Sequence, residues 1–140
     1  AQRVLAVETL ASAITAINVP AMESPALGAA LAVATRDWNA ATREQRIVAH
    51  YFLFSFFKLK ETAWYQHKAG TLDDAQWSGW ESQLLLYYRS PGVQKTWWPL
   101  RRNAYSPEFQ DYLANCARVV ESASLAQLFD PAPAPASAET

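Results

Sequence analysis

Residues 42–70 read TREQRIVAHYFLFSFFKLKETAWYQHKAG, and this segment predicts one long helix. Thr42 followed three residues later by Gln45 is the capping-box pattern of a helix start, and Gly70 stands where helices commonly end. About 27 residues at 1.5 Å per residue would make a helix of roughly 40 Å. Because residues 47–57 are apolar on nearly every side, we expect the first half to run through the centre of a bundle and the second half to emerge.

The rest of the chain predicts further helices and no strands. It contains only four glycines and lacks the Asn-Gly and Asp-Gly pairs typical of β-hairpins. We expect a first helix from about Gln2 to Ile17, ending before Pro20, and a second from Ser24-Pro25 to about Trp38. Later starts are predicted at Asp73 or Asp74, at Ser90-Pro91-Gly92 and at Ser106-Pro107-Glu108. The fold class is therefore an all-α bundle of five or six helices around the long one.

The length and composition predict one domain followed by a tail. At 140 residues and 51% hydrophobic composition the chain can bury a substantial core. We expect residues 1–129 to form a single helical domain. Residues 130–140 alternate proline with alanine and lack large apolar side chains, so we expect a disordered, extended tail there.

Charge and cysteine content narrow the function classes. Twelve basic residues nearly balance thirteen acidic ones, which argues against a nucleic-acid partner. The single cysteine, Cys116, cannot form an internal disulfide. The longest apolar run has eleven residues, whereas a membrane-spanning helix needs about 20. Because the chain begins at Ala1, we expect that an upstream segment has been removed, and a membrane association would come only from an anchor there.

A set of aromatic and Ser-Pro landmarks carries a family resemblance. The landmarks are residues 61–74, Trp77-x-x-Trp80, Ser90-Pro-Gly-Val93, Trp97-Trp98 and Ser106-Pro-Glu-Phe-x-x-Tyr112. From about Glu44 to Leu113 the chain resembles a family of uncharacterised bacterial helical-domain proteins, a domain of unknown function. The resemblance implies a helical fold, often preceded by a membrane helix, and no established activity. Pro99 departs from the charged helix former expected after the tryptophan pair.

The helical spacing predicts that the carboxylate of Glu61 faces the aromatic core. It lies one turn after Phe57 and one turn before Trp64 and Tyr65. A buried carboxylate needs a partner, so we expect a Glu61–arginine pair, with tyrosine hydroxyls as neutral donors. The candidate cations are Arg89, Arg101, Arg102 and Arg118. Such a pair would either join two helices or orient a bound ligand, and the candidate ligand-binding or buried polar residues are Glu61, Tyr65, Trp98, Arg101 and Arg102.

The remaining reactive side chains do not form a known catalytic or metal motif. His50 and Glu61 are eleven residues apart, roughly 16 Å along a helix, so they cannot share a metal ion. We expect His50 to be a hydrogen-bonded core residue and Cys116 a small apolar one. The sequence lacks the known phosphate-loop, zinc-protease and serine-hydrolase motifs. We therefore predict no catalytic residue, no metal and no cofactor.

Residues 97–102 place two tryptophans beside two arginines. This composition suits a binding surface for protein, anionic lipid or single-stranded nucleic acid, but also a core anchor with a solvated basic end, which we favour. Two adjacent tryptophans on one helix cannot both face inward. We expect one of the two rings to be partly exposed.

These observations predict a non-enzymatic protein-interaction or scaffolding domain of a bacterial, possibly membrane-anchored protein. Its expected partner is another protein or a second copy of itself. The alternative is a small-molecule or peptide sensor with a pocket beside Glu61, lined also by Tyr65, Trp98 and Arg102. A hydrolase or transferase of unknown type stays open as a third interpretation, because absent motifs do not exclude new ones.

Overall fold

The computed structural model describes residues 2–119 and 123–130, and all regular structure within these ranges is helical. The α-helices are α1 (Gln2–Glu23), α2 (Pro25–Arg36), α3 (Arg43–Lys68), α4 (Asp74–Tyr88), α5 (Trp98–Arg101), α6 (Pro107–Val119) and α7 (Leu125–Phe129). Five of the seven exceed ten residues, while α5 and α7 are single turns. The predicted all-α fold around one long helix is confirmed.

Helix α3 begins and ends at the predicted signals. Thr42 Oγ1 accepts a hydrogen bond from Gln45 N at 3.1 Å, and Gln45 Oε1 accepts one from Thr42 N at 2.9 Å. After Lys68 the chain turns at Gly70, which has a φ of 85°, a left-handed conformation that glycine adopts without strain. Helices α1, α2 and α4 pack directly on α3. The central helix therefore organises the bundle.

The core is built from rings and leucines along the inner side of α3. Its buried members include Phe52, Leu53, Phe56, Phe57 and Trp64. Helix α6 packs against the second half of α3, where the Trp64 ring lies 5.6 Å from the ring of Phe109. Such tilted aromatic pairs add to the free energy gained from burying their surface.

The prediction that the first half of α3 runs through the centre of the bundle and the second half emerges is wrong. The first half is not surrounded, because Ile47, Val48 and Tyr51 are 41%, 42% and 68% exposed. The second half remains in the core through Lys60, Ala63 and Trp64. A helix buries only the face that its neighbours cover, and the neighbours of α3 leave the outer side of its first three turns open.

Two helix ends differ from the predicted ones. Helix α1 continues through Pro20 to Glu23, although a proline cannot donate a hydrogen bond to the preceding turn. Pro20 O accepts a hydrogen bond from Ser24 N at 2.9 Å. Helix α2 ends at Arg36 because Asp37 is extended and caps a 3-10 turn, Trp38–Ala40, through Asn39 N.

The chain stays helical across Pro99. The turn before it is a π turn, Val93–Trp97, in which Trp98 N donates to Val93 O five residues earlier. Helix α5 and a 3-10 turn, Arg102–Ala104, then follow. The wider π turn accommodates a proline that cannot donate a hydrogen bond to the preceding turn.

Several expectations concern residues outside the described ranges. The predicted tail lies there except for Asp130, as do Val120 and the side chain of Arg118. Among the described helices, none is by itself long and apolar enough to cross a membrane, and residues 7–20 with α2 meet the criterion only as a pair bent by 98°.

Candidate functional site

The side chain of Glu61, on α3, reaches the start of α6, and among the described side chains its ion-pair partner is Lys58 rather than an arginine. Its Oε2 accepts a hydrogen bond from Ser106 N at 2.8 Å, and its Oε1 lies 3.4 Å from Lys58 Nζ. The expected Glu61–arginine pair is wrong. The reason is the cap of α6: Ser106 is followed three residues later by Phe109, which cannot accept a hydrogen bond from Ser106 N as a capping-box Glu or Gln would. Glu61 of α3 supplies that acceptor.

The same side of α3 holds the whole segment that leads into α6. Tyr105 donates through its hydroxyl to Phe54 O at 3.0 Å, and Lys58 Nζ donates to Ala104 O. Tyr65 donates through its hydroxyl to Ser106 Oγ at 2.6 Å. The residues of α3 in these contacts recur at 54, 58, 61 and 65, which is one helical stripe.

The five predicted site residues separate into two groups. Glu61 and Tyr65 meet through Ser106, as described. Trp98 is buried against Phe57, 5.4 Å between ring centroids, while Arg101 is half-buried with its guanidinium 5.7 Å from the Phe54 ring centroid and Arg102 is exposed. Tyr65 lines a surface cavity of 500 Å³, and neither this cavity nor four others along the described residues are lined by Glu61, Trp98 or Arg102. The sensor pocket predicted beside Glu61 has no counterpart among them.

Both members of the tryptophan pair are buried, so the prediction of one exposed ring is wrong. Trp97 packs on α3, where its Nε1 donates to His50 Nδ1 at 3.1 Å. Trp98 packs on Tyr88 of α4 and on Tyr105. Elements on more than one side enclose this segment, so rings pointing in different directions both find neighbours. The exposed side chains of the segment are Pro99, Leu100 and Arg102.

Lys60 is a buried ionisable residue that was not predicted from the sequence. Its side chain is 0% exposed, and its Nζ donates to Gln83 Oε1 at 2.9 Å and to Trp80 O at 3.2 Å. The Trp80 and Phe56 rings lie 4.4 and 5.2 Å from Nζ. Burial without a carboxylate partner in the described residues lowers the pKa of Lys60 to about 7.

The signal for Lys60 was its position on the inner stripe of α3, four residues after Phe56 and four before Trp64. Pattern reading assigns such a lysine to the surface, because long charged side chains usually reach water. The acceptors that satisfy its amine belong to α4, which sequence spacing does not reveal.

A partly buried carboxylate, Glu81, joins α4 to α6. Glu81 Oε2 accepts hydrogen bonds from Trp77 Nε1 at 3.2 Å and from the Tyr112 hydroxyl. Burial, followed by the hydrogen bond to Glu81, raises the pKa of Tyr112. Cys116 lies beside this pair, and burial raises the pKa of its thiol. This group satisfies its own hydrogen bonds within the core.

A surface cavity of 360 Å³ lies where α3 begins. Its lining combines apolar and basic side chains: Trp38, Arg43, Arg46, Ile47, His50 and Tyr51. We call these six residues the Arg43–Tyr51 face. Arg46 donates to Ala41 O, and neither Arg43 nor Arg46 forms an ion pair with the described residues. The sequence analysis missed this face because it assigned residues 47–57 to the centre of the bundle.

Within residues 2–119 and 123–130, the acidic, histidine and cysteine side chains do not form a group of three that could hold a metal ion.

The predicted family resemblance stays a prediction after comparison with known proteins. No protein family, no curated protein and no solved structure matches the chain.

Proposed function

We propose that this chain is a non-enzymatic protein-interaction domain and that the Arg43–Tyr51 face is its contact surface. The observation that carries the proposal is the exposure of Ile47 and Tyr51 at the edge of an open cavity on the central helix. An exposed apolar surface that adjoins a rigid core is characteristic of binding sites. Aromatic and arginine side chains, both present here, contribute most strongly to protein interfaces.

The polar groups that lie between the helices support a non-enzymatic role. Glu61 caps α6, and Glu81 accepts hydrogen bonds from a tyrosine and a tryptophan. Lys60 donates a hydrogen bond to a side chain of α4. A catalytic acid, base or nucleophile must reach a substrate, and each of these groups is already engaged within the bundle. The resemblance stated above adds the proposal that the domain belongs to a membrane-anchored bacterial protein.

A small-molecule sensor is the second candidate function, with its pocket in a different place from the one predicted beside Glu61. A mainly apolar cavity of 450 Å³ opens between α1, α2 and α4, and Leu31, Phe52 and Tyr87 form part of its lining. This volume falls within the roughly 300–1,000 Å³ of small-molecule sites. An apolar ligand at 100 times its dissociation constant would stabilise the domain by about 2.7 kcal/mol, which a thermal shift would detect.

Site-specific cross-linking in cells that naturally contain the protein tests the interaction function. A photoreactive phenylalanine analogue replaces Tyr51 in one variant and Asp111, an exposed position on α6, in the control. We expect an adduct of defined mass from position 51 only, and its loss when Ile47→Ser is added. Adducts of equal yield at both positions, or none at position 51, would overturn the proposal.

A further inference from the structure

We propose that the partner segment bound by the Arg43–Tyr51 face is acidic, with an apolar side chain flanked by aspartates or glutamates. This inference rests on the proposed function and names the chemistry of the partner. It follows from how positive charge and apolar surface are arranged around one cavity.

The two arginines of this face do not form ion pairs with carboxylates of the described residues. Elsewhere on α3, Lys58 pairs with Glu61 at 3.4 Å, and Lys68 with Glu108 at 3.7 Å. Arg43 and Arg46 have no such carboxylate, although both line the cavity. The N-terminal end of a helix carries partial positive charge, and α3 begins here, so the dipole adds to the same potential.

Arg101 adds a third guanidinium behind the cavity. It lies over the Phe54 ring and lowers the pKa of the cavity residue His50, an effect second to that of burial. Arg101 Nε is buried and has no hydrogen-bond partner in the described part of the chain. Guanidinium groups recognise carboxylates through paired hydrogen bonds, so an acidic segment is the complementary ligand.

The apolar part of the face defines the centre of the partner segment. Ile47 and Tyr51 stand on successive turns of α3, and Trp38 closes the cavity from the 3-10 turn. A leucine or phenylalanine side chain of the partner would bury these groups, while carboxylates on either side would reach the arginines. Interfaces of this kind have an apolar centre and a charged rim.

A protein segment fits this face better than nucleic acid or an anionic membrane. Asp37 caps the turn that carries Trp38, and Glu44 follows Arg43, so carboxylates interrupt the basic surface. A continuous polyanion would meet both of these repelling charges, and the chain as a whole has a net charge of −1. A short peptide can place its own charges between them.

Fluorescence anisotropy on the full chain tests the inference. The probe is a fluorescein-labelled peptide with a Leu-Leu-Phe centre flanked on each side by three glutamates, and the matched probe carries glutamines instead. We expect the acidic probe to bind at least tenfold more tightly than the glutamine probe, and to weaken as salt increases. Arg43→Glu combined with Arg46→Glu should abolish the preference for the acidic probe. The control variant is Lys68→Glu, which reverses one charge about 37 Å from Arg43 along the same helix. Lys68→Glu should leave the preference unchanged.

The other outcomes separate this inference from the proposed function. If both peptides bind equally, or neither binds, while the position-51 adduct persists, the acidic partner is wrong and the interaction face stands. If vesicles of anionic lipid or a single-stranded oligonucleotide bind more tightly than the acidic peptide, the partner is not a protein segment. Loss of the position-51 adduct would instead remove the interaction function itself.

Discussion

Glu61 Oε2 and Ser106 N form a hydrogen bond of 2.8 Å, so a side chain of the central helix completes the N-terminal cap of α6. The other capping boxes are local: Thr42 with Gln45, Asp73 with Gln76, and Ser124 with Gln127. The cap of α6 is shared between two helices that are far apart in sequence. Its loss therefore affects both the start of α6 and its packing on α3.

The shared cap gives the first prediction. Glu61→Ala should lower the free energy of unfolding by about 2 kcal/mol, since a hydrogen bond to a charged acceptor that is only 14% exposed is lost. Glu61→Gln keeps an acceptor oxygen and should lower it by about half as much. Urea unfolding followed by circular dichroism measures both. Glu108→Ala, an exposed carboxylate on α6, serves as control, and an equal loss there would contradict the role of Glu61.

The buried amine of Lys60 predicts a pH-dependent stability. Its pKa is lowered to about 7 in the folded state and stays near 10.4 in the unfolded chain. Between these values the unfolded state binds more protons, so stability rises with pH by up to about 1.4 kcal/mol per unit, and falls as pH drops toward 7. Urea unfolding between pH 6 and 9 should show this slope in the native protein.

Substitution of Lys60 isolates its contribution. Lys60→Met should raise the free energy of unfolding at pH 6 by about 2 kcal/mol, because no charge is then buried, and the gain should shrink toward pH 9. Lys58→Met, a change of the same type at a more exposed position on α3, is the control. A gain at Lys60 that does not change with pH would mean that its amine keeps an ordinary pKa.

Gly92 predicts a steric effect. A Cβ at this position would collide with Ala34 O and lie 2.9 Å from Thr35 O, both backbone atoms of α2 that cannot move aside. Gly92→Ala should therefore lower the free energy of unfolding by about 3 kcal/mol. Gly79→Ala is the matched control in α4, where a Cβ would meet nothing within 4 Å. It should stabilise the domain by about 0.5 kcal/mol, and a similar result at Gly92 would show that α2 is not so close.

Phe57 is buried and Tyr51 is exposed on α3, so the two should respond differently to truncation. Phe57 is fully buried against Trp97 and Trp98, so Phe57→Ala should lower the free energy of unfolding by about 4 kcal/mol. Tyr51→Ala should change it by less than about 0.5 kcal/mol, because the ring is largely exposed. Thermal unfolding compares the two. A large loss at Tyr51 would mean that this ring serves the fold rather than a partner.

The candidate site was only partly predictable from the sequence. Pattern reading identified Glu61 and Tyr65 as polar residues of the core stripe, and both contact the start of α6. It assigned Glu61 an arginine, because opposite charge is the usual partner of a buried carboxylate, while the structure supplies the ammonium group of Lys58 and the backbone N–H of Ser106. It missed Lys60, because its acceptors lie on another helix, and it missed the exposure of Tyr51.

The sequence by itself determined most of the helix starts, because their signals act over three or four residues. The Thr42 cap, the Ser24-Pro25 start, the Asp73 cap and the glycine at position 70 all act within one turn. Only the tertiary structure decided which side of α3 is covered and which backbone groups reach Glu61 and Lys60. Both outcomes depend on where α4 and α6 pack. The residues that meet there are far apart in the chain, so no fixed sequence spacing predicts their contacts.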